Sequence, residues 1–151
     1  MRKLCILGST GSIGVSTLEV VRLHPTLFSI ESLSANTRVN EMLAQCQEFN
    51  PSIVVMVDDN AAKQLKEKLN NKGLHAIQVR SGKQGLIDIA GDDITDTVMA
   101  AIVGASGLLP TMSAVKAGKR VLLANKEALV TSGALFIDAV EKYSAELLPI
   151  D

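Results

Sequence analysis

Three glycines, Gly8, Gly11 and Gly14, stand at three-residue intervals near the start of the chain. They follow the apolar run Leu4-Cys5-Ile6-Leu7 and precede a helix-forming stretch, residues 15–23. That order suits the binding of a dinucleotide. The first glycine allows a tight turn, the second lets a pyrophosphate approach the backbone, and the third lets helix and strand pack closely. The N–H groups that open the helix then face the phosphates. The spacing G-x-x-G-x-x-G meets the usual dinucleotide fingerprint only approximately. An ordinary strand–helix turn is the plain alternative, but it rarely needs all three glycines.

The end of the second expected strand bears on which dinucleotide is bound. Its sequence is Leu33-Ser34-Ala35-Asn36-Thr37-Arg38. The Asp or Glu that holds the ribose hydroxyls of NAD is missing, and a guanidinium is present. A carboxylate would repel a 2′-phosphate, whereas Arg38 can form charge-assisted bonds to it. NADP is therefore favoured over NAD. Glu31 is the nearest acid but lies mid-strand. Further along, Val103-Gly104-Ala105-Ser106-Gly107 forms a small-residue turn that can admit a nicotinamide or serve as a plain strand–helix turn. Ala124-Asn125-Lys126-Glu127 gathers three polar groups behind the apolar Val121-Leu122-Leu123. Lys126 offers a point charge to an anionic substrate, and Asn125 can donate and accept near a ribose. Glu127 can act as helix-start cap, acceptor or acid–base group. A solvated helix start would also explain all three. His24 and His75 have no partner at ligand spacing. The pairs Asp58-Asp59 and Asp92-Asp93 fall at element boundaries, where capping explains them.

Helices and strands must alternate to position these groups. Strands are expected at 3–7, 28–35, 52–57, 75–79, 97–103, 120–124 and 146–150. Between them, helices are bounded by His24-Pro25, the cap types Asn36 and Thr37, Asn50-Pro51, Asp58 or Asp59, Gly73, Pro110 and Gly118. The pattern predicts an α/β fold: a doubly wound, mainly parallel, Rossmann-like sheet of about seven strands. In such sheets ligands sit beyond the carboxyl ends of the strands. The chain has 151 residues, 47% of them hydrophobic but only 3% aromatic, so its core must be aliphatic. A net charge of −1 favours neither nucleic acid nor a membrane surface. Cys5 and Cys46 read as buried apolar residues rather than a disulfide or metal pair. The apolar stretch 98–115 is broken by Gly104, Gly107 and Pro110, and reads as strand, turn and helix rather than a membrane span. The glycine loop comes too early for a signal peptide, and a reducing, cytoplasmic setting is expected.

Four segments taken together resemble the 1-deoxy-D-xylulose 5-phosphate reductoisomerase family. They are Ile6-Leu7-Gly8-Ser9-Thr10-Gly11-Ser12-Ile13-Gly14, residues 99–111 (MAAIVGASGLLPT), residues 122–130 (LLANKEALV) and Leu147-Leu148-Pro149-Ile150-Asp151. The resemblance implies that Thr10, Gly11, Ser12 and Ile13 hold NADPH phosphates. It places Asn36 and Arg38 at the 2′-phosphate, Asn125 and Glu127 at the cofactor and Lys126 at the substrate. Asp151 would be the first ligand of a divalent metal, Mg²⁺ or Mn²⁺. A basic residue is common in the family where Thr37 stands, with Arg38 its neighbour here. The implied reaction rearranges 1-deoxy-D-xylulose 5-phosphate and reduces it with NADPH to 2-C-methyl-D-erythritol 4-phosphate, in the non-mevalonate isoprenoid pathway. Residues 1–150 are expected to be the NADPH-binding domain. The catalytic and C-terminal domains and a homodimer are expected of the full-length enzyme, and the chain alone should bind cofactor without turnover. Two other readings are a semialdehyde-dehydrogenase-like domain, which would need a nucleophilic cysteine near the nicotinamide, and an NADP-sensing module.

Overall fold

The computed structural model describes residues 1–124 and 126–150; the side chains of residues 126–129 and 131 lie outside that description. Seven strands and six α-helices alternate: β1 (Arg2–Leu7), α1 (Ser12–Leu23), β2 (Phe28–Ala35), α2 (Val39–Phe49), β3 (Ile53–Met56), α3 (Asp59–Asn71), β4 (Gln78–Ser81), α4 (Gly82–Gly91), β5 (Thr97–Ala100), α5 (Leu108–Lys116), β6 (Arg120–Leu123), α6 (Lys126–Tyr143) and β7 (Glu146–Pro149). A single 3-10 turn, Ala105–Gly107, precedes α5. All strand pairs are parallel, in the order β4-β3-β2-β1-β5-β6-β7. The chain therefore winds outward from β1 to β4, then returns to the other side of β1 for β5 to β7.

Side-chain alternation explains the two layers. Leu4 and Ile6 of β1 join Val54 and Met56 of β3 under α1, α2 and α3. Cys5 and Leu7 join Ile53 and Val55 on the opposite face, under α4, α5 and α6. Strands covered on both faces read as continuous apolar runs, and Ile53-Val54-Val55-Met56 is buried throughout. Both cores are aliphatic, with Phe136 the one aromatic among the fully buried large side chains. Because α1 and α5 leave on opposite faces, a crevice opens at the carboxyl ends of the neighbouring strands β1 and β5.

Several boundaries differ from expectation for identifiable reasons. β4 begins at Gln78 rather than His75, because the first ladder bond is from Gln78 N–H to the Ser52 carbonyl (3.0 Å) and residues 74–77 form a turn. β5 stops at Ala100 rather than 103: its partner β1 ends at Leu7, and Gly8 then turns away with φ +81°. α1 starts at Ser12, so Gly14 lies within its first turn rather than before it. The cap position of α2 is Arg38, not Asn36 or Thr37, and no side chain caps it. Asp58 does cap α3, accepting from the Ala61 N–H at 2.9 Å. Asp92 stands at the C-cap position of α4, and its carboxylate pairs with Arg80 at 3.3 Å.

Candidate cofactor cleft

The glycine loop is built by close approach. Gly8 leaves β1 with a positive φ, and a Cβ there would lie 3.1 Å from the Ala101 carbonyl oxygen. Gly14 is tighter still: its Cβ would sit 2.3 Å from the Gly8 oxygen and 2.6 Å from Ser9 Cα, so no side chain fits. Gly11 is different. Its Cβ would meet only the Gly8 oxygen, at an ordinary 3.6 Å, and it faces the cleft. Among the described residues nothing requires a glycine at position 11, whereas a ligand lying on the backbone would. Gly11 opens α1, and no side chain caps that helix. The first N–H groups of a helix have no acceptor of their own and form a site for negative charge.

Above the loop lies a cleft of about 470 Å³. Gly8, Thr10 and Gly11 floor one side, and Ser34, Ala35, Asn36 and Arg38 come from the end of β2. The wall from α4 contributes Lys83, Leu86 and Ile87, and the segment after β5 contributes Ala101, Val103 and Ser106. The described lining holds two cations, Arg38 and Lys83, and no carboxylate. Arg38 is exposed, and its Nη1 donates to the Thr10 carbonyl at 3.4 Å. Glu31 is far from this chemistry. It sits on a bulge between the pairings Leu4↔Ile30 and Cys5↔Ser32, and its carboxylate accepts from Ser29 Oγ (3.1 Å) and Ser52 Oγ (3.0 Å).

A buried network holds the loop from below. Gly8 N–H donates to Ser34 Oγ (3.0 Å), and Ser9 N–H donates to the Ser34 carbonyl (2.8 Å). Ser9 Oγ donates to Gln45 Oε1 (2.7 Å), and Gln45 Nε2 donates to the Ser9 carbonyl (2.9 Å). Neither cysteine can serve as a nucleophile here. Both are fully buried; burial pushes the Cys5 thiol up to about 11 and the Cys46 thiol to about 12. That removes the semialdehyde-dehydrogenase-like reading, which needs a reactive thiolate beside the nicotinamide.

The family model of 1-deoxy-D-xylulose 5-phosphate reductoisomerase matches residues 4–133. The chain belongs to this family. It is 63% identical over 150 residues to the reductoisomerase of Colwellia psychrerythraea, covering 99% of the chain and 36% of that protein. It is 58% identical to the reductoisomerase of Aliivibrio salmonicida over 151 residues, covering 100% of the chain and 38% of that protein. The chain thus spans little more than a third of the length of these relatives. A crystal structure of DOX-P reductoisomerase in complex with NADPH, fosmidomycin and magnesium superposes with a TM-score of 0.94 at 49% identity, over 100% of this chain and 36% of that one. The reductoisomerase from Zymomonas mobilis, in complex with NADPH, gives a TM-score of 0.92 at 37% identity, over 99% and 39%. A putative homoserine dehydrogenase from Archaeoglobus fulgidus shares the fold alone, with a TM-score of 0.60 at 17% identity over 99% and 42%.

Of the expected reductoisomerase site residues, Thr10, Gly11, Asn36 and Arg38 line one cleft. Ser12 and Ile13 open α1 beside them. The turn 103–107 reaches the same cleft through Val103, Ala105 and Ser106. Asn125 and Asp151 lie outside the described residues, as do the side chains of Lys126 and Glu127; the helix α6 begins at Lys126. Among the described residues no three His, Cys, Asp or Glu side chains gather into a metal site, and no helix is long and apolar enough to cross a membrane. Sequence reasoning missed Lys83, Ser34 and Gln45. Lys83 follows the positive-φ Gly82 at the start of α4, a fourth strand–helix junction on the cleft side. Gln45 interrupts the apolar run of α2 between Met42 and Cys46, which was a usable signal.

Proposed function

We propose that residues 1–150 are the NADPH-binding domain of a 1-deoxy-D-xylulose 5-phosphate reductoisomerase. The observation that carries this is the carboxylate-free cleft, with Arg38 and Lys83, over the uncapped start of α1. In this reading Thr10, Gly11, Ser12 and Ile13 receive the pyrophosphate, and Asn36 and Arg38 receive the 2′-phosphate with Lys83 adding positive charge. The small-residue turn after β5 admits the nicotinamide. The cleft volume of about 470 Å³ lies within the usual range for ligand pockets. NADPH, when bound, supplies a hydride; the chain's own groups bind and orient it.

Asn125 and Glu127 are proposed cofactor contacts, Lys126 a substrate contact and Asp151 a ligand to Mg²⁺ or Mn²⁺. A hard divalent ion takes about six oxygen ligands. The described residues bring no such set of acidic groups together. Conversion of 1-deoxy-D-xylulose 5-phosphate to 2-C-methyl-D-erythritol 4-phosphate, by a cytoplasmic homodimer, is proposed for a chain of the relatives' length. These 151 residues are expected to bind NADPH without oxidising it.

Titration of the chain with NADPH and NADH tests the reading. NADPH should bind about tenfold more tightly or better, the scale set by charge-assisted bonds to one extra phosphate. Equal affinities would remove the assignment. Steady oxidation of NADPH on adding 1-deoxy-D-xylulose 5-phosphate and Mg²⁺ would overturn the limit to binding.

A further inference from the structure

One side chain outside the assigned site grips the glycine loop twice at the same residue. Gln45, in the middle of α2, accepts from Ser9 Oγ at 2.7 Å and donates to the Ser9 carbonyl at 2.9 Å. Ser9 is completely buried, so both of these groups depend on internal partners. A primary amide supplies one acceptor and one donor side by side, which is what this residue asks for. The next loop residue, Thr10, is tied to the same helix: its carbonyl accepts from Arg38 Nη1 at 3.4 Å, at the cap position of α2. Two turns of α2 separate Arg38 from Gln45. The helix that carries the proposed 2′-phosphate cation is thereby fastened to the loop that carries the proposed pyrophosphate amides.

We propose that Gln45 is a positioning residue for NADPH, holding Arg38 and the loop amides at the one separation that lets a single dinucleotide reach both. This rests on the reading of the cleft as an NADPH site. Two contacts on one ligand reinforce each other only while their spacing is held, since the second then acts at high effective concentration. Loosening α2 from the loop penalises NADPH, which uses both contacts, more than NADH, which lacks the 2′-phosphate. A purely structural glutamine would lower stability and leave the ratio of the two affinities alone.

The experiment compares the wild-type chain with Gln45→Leu, which removes both bonds at similar volume, and with the milder Ser9→Ala, which removes the hydroxyl's bond to Gln45 and its longer contact with the Ser34 carbonyl (3.3 Å) but keeps the bond from the Gln45 amide to the Ser9 carbonyl. Kd values for NADPH and NADH come from nucleotide fluorescence. The expected result is a fall of about tenfold in the NADH:NADPH Kd ratio for Gln45→Leu, the order set by losing one or two net hydrogen bonds. Ser9→Ala should show a smaller fall, and the double variant should be no worse than Gln45→Leu alone, as expected for groups acting as one unit. Hydrogen exchange of the nucleotide-free Gln45→Leu chain should be faster at residues 8–11 and unchanged in β3. A wild-type chain with no NADPH preference overturns the cleft assignment and this proposal with it. A wild-type preference that survives intact in folded Gln45→Leu or Ser9→Ala overturns the positioning role alone.

Discussion

Two alanine substitutions three residues apart should separate the glycine that builds the fold from the glycine that serves the ligand. In Gly14→Ala the new methyl would stand 2.3 Å from the Gly8 oxygen and 2.6 Å from Ser9 Cα. Both neighbours are backbone in a loop already pinned by Ser34, so neither can swing aside. Overpacking of this kind costs about 1–3 kcal/mol. For a chain of this size each kcal/mol lowers Tm by about 2–4 °C, so a fall of roughly 2–12 °C is expected. In Gly11→Ala the methyl meets only a 3.6 Å contact, and the backbone at φ −78°, ψ 173° suits alanine. Alanine is a poorer helix-opening residue than glycine by a few tenths of a kcal/mol or more, while the lost freedom of the unfolded chain returns about 0.4–1 kcal/mol. The two nearly cancel, and Tm should move by less than about 3 °C. The methyl nevertheless stands where the pyrophosphate must lie against the backbone, so NADPH affinity should fall about tenfold or more. Thermal melts and NADPH titrations on the same preparations give both readouts. A Gly11→Ala chain that keeps its Tm and also binds NADPH like the wild type would refute the phosphate role of the loop. A Gly14→Ala chain with unchanged Tm would refute the packing argument.

Three further outcomes follow from the same structure. Arg38→Ala should weaken NADPH by about 1.5–3 kcal/mol, the scale of a bond to a charged group, and leave NADH nearly unchanged; parallel titrations check this, and equal losses for both nucleotides would count against a 2′-phosphate contact. Lys119 is buried at the opposite end of the sheet, where its ammonium donates to the Asp92 carbonyl and to Thr95 Oγ1. Lys119→Met should cost about 1–3 kcal/mol by leaving those oxygens unpaired, read as a lower urea midpoint with NADPH affinity preserved. Finally, the thiols raised by burial, Cys5 to about 11 and Cys46 to about 12 from a usual 9, stay protonated in the fold where the unfolded chain ionises. Their contribution is intact below pH 9 and is lost as pH rises through 11–12. Lys119 runs the other way, because burial lowers its pKa, but it is one group against two. Urea midpoints should fall from pH 8 to 10.5, and a Cys5→Ala/Cys46→Ala chain should show a flatter profile.

How far the sequence reaches depends on whether a feature is written in local pattern or in spatial approach. The seven strands and six helices of the described residues are local patterns, and each overlaps the span that hydrophobic runs and breakers predict, although β4 begins three residues late and β5 ends three residues early. Which face a strand residue takes also follows from alternation, as Cys5 and Ile6 illustrate on opposite sides of β1. The errors cluster where a neighbour decides. β5 stops at Ala100 because β1 stops at Leu7, not because 101–103 lack strand character. Arg38 takes the cap position of α2 although Asn36 and Thr37 are better caps, and its side chain goes to the Thr10 carbonyl. That preference, binding chemistry over capping chemistry, is itself a reason to place function there. The same logic separates the three glycines that first draw the eye. Gly8 and Gly14 answer to contacts within the fold, and any tightly packed strand–helix turn could demand them. Gly11 answers to nothing within the described residues, so among the three its identity is explained only by something that lies in the cleft.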